Sequence, residues 1–379
     1  MKNISIAIAT LFLLCSCSQR RQEIVVNNPA TFDRTDEITE ICADSITIAK
    51  AGEFIITDAE GREIPYQLTY DNRIIFPASV KASDKTIYTV MPGTPAPVDT
   101  IAWGRQFPER KDDMAWENDR SAYRAYGPAL QQSGERAFGY DIWTKSVPHR
   151  VLEKRFDLDI NKKISFHVDH GEGMDVYAVG PTLGGGTAAL LDSAGNIVYP
   201  YCYESYEILD NGPLRFTVSL RYAPLSVDGD SAVIEERMIS LDKGSWLNRT
   251  SVTYTGLRHD VCVAPGIVIH RQNPEGYTLA NGYMSYADST ENSANGNGVI
   301  FVGVVSPESR NTEYRRLTEP TGDAAGHILA PAPYTDSHNF TYYWGSGWSK
   351  GGMPDKETWD SYLGNYFERL KNPLRVYVK

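Results

Sequence analysis

Arg215-Phe216-Thr217-Val218-Ser219-Leu220, the run from Val233 to Leu241, Arg249-Thr250-Ser251-Val252-Thr253-Tyr254 and Val299-Ile300-Phe301-Val302-Gly303-Val304-Val305 decide the fold class. Each is rich in β-branched and aromatic residues, which suit a pleated, half-buried surface. From about residue 99 to 379 such runs follow one another with only two short helical interludes. One is Pro128 to Ser133, opened by proline at a first-turn position. The other is Asp355 to Leu370, with apolar spacing at Trp359, Leu363, Tyr366 and Leu370. A long series of strands without regular helices predicts an all-β protein with a large antiparallel β-sandwich over 99–379.

Upstream, residues 30–98 predict a small β-sandwich. Ser45-Ile46-Thr47-Ile48, Phe54 to Thr57, Ile64 to Tyr70, Arg73 to Phe76 and Thr86 to Val90 are strand-like, with turn signals at Asp58-Ala59-Glu60-Gly61 and Asp71-Asn72. Met91-Pro92-Gly93-Thr94-Pro95-Ala96-Pro97 reads as a stiff linker closing this support domain.

The N-terminus sets the compartment. Lys2 precedes a short apolar run from Ile4 to Leu14, too short to span a bilayer as a helix. The run ends in Leu14-Cys15-Ser16-Cys17, which resembles a bacterial lipobox and implies cleavage before Cys17 and lipidation of its thiol. Residues 1–17 are then a lipoprotein signal with its acceptor, and 18–29 a tether. Arg20 and Arg21, where surface-exported lipoproteins carry acids, favour an anchor facing the periplasm. Cys42, Cys202 and Cys262 remain, an odd number at wide spacing and no disulfide framework. They read as buried free thiols, with one pair left open. A net charge of −11 argues against nucleic acid, which needs a basic face. The 23 Tyr and 7 Trp supply flat apolar faces with a polar edge, which suit sugar rings as well as a β core.

Two stretches concentrate groups for chemistry. Positions 167 to 175, within Phe166-His167-Val168-Asp169-His170-Gly171-Glu172-Gly173-Met174-Asp175, hold two histidines and three carboxylates. Read as a strand, this stretch puts His167 and Asp169 on one face, with His170 at its end and Glu172 exposed between two glycines. A carboxylate beside a histidine raises its pKa and fixes its tautomer, so His167 with Asp169 reads as an acid–base pair. The runner-up is Zn²⁺ or Ca²⁺ held by His167, Asp169 and His170, although the spacing matches no strong metal signature; no cofactor is otherwise expected. The second stretch, Trp116 to Pro128, places Asn118, Arg120 and Arg124 on one strand face and Tyr123 on the other. Arg120 and Arg124 present forks to a carboxylate, and a uronic acid is the carboxylate-bearing sugar. Trp143 and Lys145 add to this wall. Further on, Trp344 and Trp348 read as sugar platforms leading to Lys350, and the glycines Gly184-Gly185-Gly186 as a backbone open to a ligand. His259, His270 and His327 read as structural.

At these motifs the chain resembles the bacterial domain of unknown function 4861 family, common in lipoproteins of Bacteroidetes. The matching residues are Glu117-Asn118-Asp119-Arg120, Tyr126-Gly127-Pro128, Tyr140-Asp141-Ile142-Trp143, His167 to Gly173, and Gly345 to Lys350. The resemblance implies a supersandwich like that of galactose mutarotase and a setting among enzymes that degrade uronate-rich glycans. It carries over no assigned catalytic residue.

These readings lead to an enzyme acting on acidic oligosaccharides by elimination, as a lyase or dehydratase. Arg120 and Arg124 would neutralise the uronate carboxylate, and His167, oriented by Asp169, would take the adjacent proton. His170 or Tyr123 would protonate the leaving oxygen. The alternatives are a glycoside hydrolase using Glu172 with Glu117 or Asp119, an aldose epimerase, and a non-catalytic glycan-binding lipoprotein.

Overall fold

The computed structural model describes residues 21–291, 293–319 and 322–379. Cys17, the apolar leader and residues 18–20 lie outside the described residues. Among the described residues, no helix is long and apolar enough to cross a membrane.

The small domain pairs two sheets. One runs in the order Arg375–Val378, Gln22–Asn27, Lys85–Pro92, Phe54–Thr57, Glu63–Ile64; the other runs Arg34–Cys42, Arg73–Val80, Gln67–Leu68. Ile24, Val26, Ile56, Phe76 and Val90 fill the space between them. Residues 22–27, expected as tether, are a central strand. Val25 faces Ile87 on one side and Tyr377 on the other. The strand is short and mixed in sequence, and its partners lie about sixty and three hundred and fifty positions away, so no local signal marks it. The C-terminal strand also belongs here, not to the large domain as the 99–379 division had it. Ser45 to Ile48 is no strand either: it is flanked by the 3-10 turns Ala43–Ser45 and Ala49–Ala51, and Ile46 and Ile48 plug the end of the sandwich.

The large domain is an antiparallel sandwich. A nine-stranded sheet has Leu247–Thr255, Phe340–Trp348 and Ile300–Val305 at its centre, and a six-stranded sheet has Gly185–Leu191 and Val261–His270 at its centre. Their facing sides share one core, in which Val218, Ile239, Val252, Val302, Tyr342 and Trp344 meet Ala188, Val263, Ile267 and Ile328. Helix α3 (Lys356–Lys371) lies on the outer side of the nine-stranded sheet. It is capped by Asp355, whose side chain accepts from Thr358 N at 2.8 Å. The strand glycines let it sit close: a Cβ at Gly347 would meet Met353 at 2.7 Å, and one at Gly303 would meet Leu363 at 2.7 Å.

A third, four-stranded sheet positions the site. Its order is Asp141–Trp143, Ala122–Ala125, Asp113–Glu117, Trp103–Phe107. One face, with Met114, Trp116, Tyr123 and Ile142, joins the sandwich core. The other, with Ala115, Ala122 and Trp143, is covered by Leu152, Phe156 and Phe166. Leu152 and Phe156 come from helix α2 (Leu152–Lys162), which the sequence reading missed. Its first turn has no capping side chain of its own. The cap comes from Glu117, 35 positions away, whose Oε1 accepts from Leu152 N at 3.0 Å and from Val151 N at 2.9 Å. A cap supplied from a distant strand leaves no trace in the local sequence.

Candidate active site

Side chains alternate across a strand, so Asp113, Ala115 and Glu117 share the face on which Ala122, Arg124, Asp141 and Trp143 lie. The pairing register sets Arg124 opposite Asp141. Arg124 is buried, and three carboxylates converge on it. Its Nη1 lies 3.3 Å from Asp113 Oδ2, and its Nη2 lies 2.6 Å from Asp141 Oδ2 and 3.1 Å from Asp175 Oδ2. Asp141 is held further by Trp143 Nε1 at 2.9 Å and by Ile142 N at 2.8 Å. Asp175 arrives from the histidine-rich stretch, its backbone N bonded to Phe166 O at 2.9 Å. The two stretches singled out in the sequence therefore do meet, through Arg124 and Asp175.

One guanidinium cannot neutralise three buried carboxylates, so protons stay behind. Burial pushes Asp113 up to about 6, against the pull of the Arg124 and Arg110 charges. Burial and the neighbouring Asp141 raise Asp175 well above the carboxylate range. Burial disfavours the Arg124 charge, but the surrounding carboxylates outweigh it and hold the guanidinium more firmly ionised than usual. Tyr126, whose ring lies 5.0 Å from the Arg124 guanidinium carbon, is kept protonated by burial and by Asp141. Asp113 Oδ1, Arg124 Nε and the Tyr177 hydroxyl, all buried, have no hydrogen-bond partner. Buried polar atoms are almost always paired, so the two orphans on the Asp113–Arg124 pair mark a place built for more than packing.

His167 is the cluster's outlet. Its Nδ1 lies 2.7 Å from the Asp175 carbonyl oxygen and 3.8 Å from Asp175 Oδ2. A carbonyl only accepts, so Nδ1 carries the hydrogen, and the neutral ring keeps its lone pair on Nε2. The side chain is 54% exposed, which presents that lone pair to solvent.

The other expected residues are placed differently. Residues 165–170 form turns, not a strand, because side chains hydrogen-bond the local backbone instead. Asp169 Oδ1 accepts from Gly171 N at 2.8 Å and Gly173 N at 2.9 Å, so it shapes the loop and does not orient His167. His170 Nε2 meets Ser165 O at 3.1 Å. These contacts turn His167, Asp169 and His170 to three separate backbone partners, which argues against a shared metal. Glu172 sits 2.8 Å from Lys154 and 3.1 Å from His149, and Lys154 holds its carboxyl below the usual range. A carboxyl kept ionised in this way is a poor general acid. The crevice beside His170, Phe166 and Glu172 has a volume of about 20 Å³, room for about one water and not for a sugar ring.

Tyr123 points into the sandwich core: its hydroxyl donates to Trp246 O at 3.1 Å, accepts from Ser346 N at 3.2 Å, and is pushed up to about 12 by burial. Asn118 caps the hairpin turn, with Oδ1 accepting from Arg120 N at 2.8 Å and Nδ2 donating to Asp242 O at 2.7 Å. Arg120 lies away from Arg124, over the Trp246 ring at 5.2 Å. Lys145 is buried, and its Nζ lies 2.7 Å from Glu117 Oε2 and 2.6 Å from Asn118 O. Trp143 and Trp344 are fully buried; Trp344 stacks on Tyr140 at 4.0 Å. Trp348 is also buried and donates to Asn297 O at 2.8 Å. None of the three is a sugar platform. Lys350 is exposed, 6.0 Å from the Trp348 ring centre. The glycines at 184–186 admit the chain's own Tyr140 and Trp344 and no ligand.

Sequence reasoning missed Asp113, Asp141 and Tyr126 as members of the cluster. It also set His270 aside. That imidazole is buried between Asp288 and the Ala178 carbonyl, the latter 2.9 Å from Nε2. Burial works against its charge, but Asp288 outweighs burial and raises its pKa. Among the described residues the cysteines are free; Cys202 is buried, whereas Cys42 and Cys262 are exposed.

The chain matches the family described as Domain of unknown function (DUF4861) over residues 26–376, and it belongs to that family. It is 26% identical over 398 aligned positions to Uncharacterized protein P7 of Formosa agariphila, covering 99% of this chain and 98% of that one. Two solved structures from Enterococcus faecalis are similar to it. One is a protein in the glycosyl hydrolase family 38 (9% identity, TM-score 0.50, 95% of this chain and 47% of that one). The other is an alpha-mannosidase (10% identity, TM-score 0.49, 95% and 46%). The chain spans about half the length of these two proteins.

Proposed function

We propose that the protein is a carbohydrate-active enzyme that works by elimination on uronate-containing saccharides, with His167 as the base and Tyr126 as the acid. The observation that carries this reading is the hydrogen bond from His167 Nδ1 to the Asp175 carbonyl, which leaves Nε2 as an exposed acceptor beside a store of buried protons. His167 Nε2 takes the proton next to the sugar carboxylate, and the carbon–oxygen bond one position further breaks. Tyr126, still protonated at neutral pH, gives its proton to the departing oxygen. Arg124 does not bind the substrate carboxylate, because three aspartates already surround it. Its task is to hold Asp113, Asp141 and Asp175 in place. Support for a carbohydrate substrate comes from the sandwich shared with the glycosyl hydrolase family 38 protein. The enzyme is anchored through Cys17 and faces the periplasm. A second reading, hydrolysis, draws on one observation: Asp175, which keeps its proton, and Asp141 meet at the same arginine nitrogen, so two carboxyl groups stand side by side.

The test is incubation of the chain from Ser18 onward with saturated and unsaturated uronate oligosaccharides, following product mass and the ultraviolet absorbance of a conjugated alkene. Elimination gives new absorbance with no gain of water. His167→Gln then slows turnover by about 10²–10⁴-fold, the usual weight of a general base. Glu172→Gln stays within about threefold, since a salt-bridged surface carboxylate contributes little. A gain of water on cleavage, with His167→Gln active and Asp175→Asn dead, moves the assignment to hydrolysis. Binding without turnover, unchanged in His167→Gln, makes the protein a glycan-binding lipoprotein.

A further inference from the structure

A groove of about 780 Å³ runs where the small domain, the outer side of the nine-stranded sheet and α3 meet. Its floor is set by strand register: Arg249 and Tyr343 are cross-strand partners on the outward face. Its wall is set by helix periodicity. Tyr362, Tyr366 and Arg369 are spaced by four and three positions and so share one side of α3. The rings of Tyr343 and Tyr366 lie 5.2 Å apart, and those of Tyr362 and Tyr366 lie 6.0 Å apart, giving a continuous aromatic surface. The turn after Asp242 adds Lys243.

The charges are unevenly matched. Asp242 is taken by Arg215 at 2.6 Å, and Glu40 by Arg215 at 3.2 Å and Arg73 at 3.4 Å. Glu37 is taken by Arg34. Among the described residues, Lys243 and Arg249 line the groove without an ion-pair partner of their own. Arg369 reaches Glu37 only at 3.9 Å, and its buried Nε has no hydrogen-bond partner. Among the described lining residues Asp36 is the one carboxylate without an ion pair, so three under-neutralised cations face the aromatic surface against a single free anion, a local anion trap in a chain of net charge −11.

We propose that this groove binds an anionic saccharide, with its carboxylate or sulfate groups at Arg249, Arg369 and Lys243 and its ring faces on Tyr343 and Tyr366. The saccharide half of this proposal rests on the carbohydrate reading above; the anion half does not. The site is separate from the Arg124 cluster, since its residues come from the outer side of the nine-stranded sheet, α3 and the small domain.

Calorimetric titration of the chain from Ser18 onward tests it with three probes: hexagalacturonate, its carboxyl-reduced neutral form, and a sulfated carrageenan hexasaccharide. At least one anionic hexamer binds and the neutral form does not, and the better anionic probe shows whether carboxylate or sulfate is preferred. Affinity falls as salt is raised and drops about fivefold to tenfold in Arg249→Gln and in Lys243→Gln, the loss of roughly one charge-assisted contact each. Both residues are exposed, so the variants fold. Failure of both anionic probes to bind, equal binding of the neutral form, or indifference to both substitutions overturns the proposal. Groove binding without turnover would retire the catalytic reading alone. Turnover of saccharides whose affinity ignores Arg249 would retire the groove alone.

Discussion

The face of the four-stranded sheet covered by α2 carries two buried charge sites, one at each end of the strand Asp113–Glu117. At one end, Glu117 meets Lys145 one to one at 2.7 Å, and its remaining acceptors take Val151 N and Leu152 N. Every group there has a partner, and the result is a helix pinned to a sheet. At the other end, three carboxylates crowd one guanidinium, protons are retained, and Asp113 Oδ1 and Arg124 Nε stay unpaired. Both ends bury carboxylates against a basic side chain; the balance between them differs. A balanced buried pair holds structure, whereas an unbalanced one stores charge strain that packing alone has no use for.

The largest effect expected from this contrast is at the balanced end. Lys145→Met leaves Glu117 ionised and buried beside α2, and should cost about 3–5 kcal/mol in chemical denaturation. A loss under about 1 kcal/mol would mean that the helix amides alone satisfy Glu117, and the contrast would blur. At the unbalanced end, Asp175→Asn removes a surplus carboxyl. Stability should hold or rise by up to about 1 kcal/mol, while elimination, which uses the Asp175 carbonyl and not its carboxyl, stays within about tenfold. A stability loss as large as that of Lys145→Met would put Asp175 among the structural groups.

A smaller effect concerns pH. The folded-state pKa of Asp113, about 6, lies above the unfolded value near 3.8. The folded chain therefore holds a proton that the unfolded chain has released between pH 4 and 6, so stability falls as pH rises through that window. Two units correspond to about 3 kcal/mol at most. Thermal melts of wild type and Asp113→Asn across pH 4–7 should differ in slope there and run parallel above pH 7. Parallel curves throughout would show that Asp113 titrates normally.

Much of the fold was legible because long strands of β-branched residues advertise themselves. The strands around Thr217, Val252 and Val302 stand where expected. What stayed hidden depends on partners far away in the chain: the strand at Ile24, the cap of α2 by Glu117, and the return of Arg375–Val378 to the small domain. The site was half legible. Density of titratable groups pointed to two stretches that meet at Arg124 and Asp175, and Arg124 and His167 were both named. Density does not separate Asp169, which shapes a turn, from Asp175, which faces an arginine. Nor does it show that Trp344 and Trp348 face inward, because an aromatic strand reads alike whether it lines a groove or a core.

The central claim is that the Arg124 cluster raises the pKa of its buried carboxyls Asp113 and Asp175 above the ordinary range. Its most direct test is carboxyl ¹³C NMR of aspartate-labelled protein, titrated from pH 3 to 9, with Asp113→Asn and Asp175→Asn for assignment. The account predicts one aspartate titrating near pH 6, lost in Asp113→Asn, and a second titrating above the ordinary carboxylate range, lost in Asp175→Asn. Aspartates that all ionise below about pH 4.5, within the ordinary range for exposed carboxyls, would contradict it.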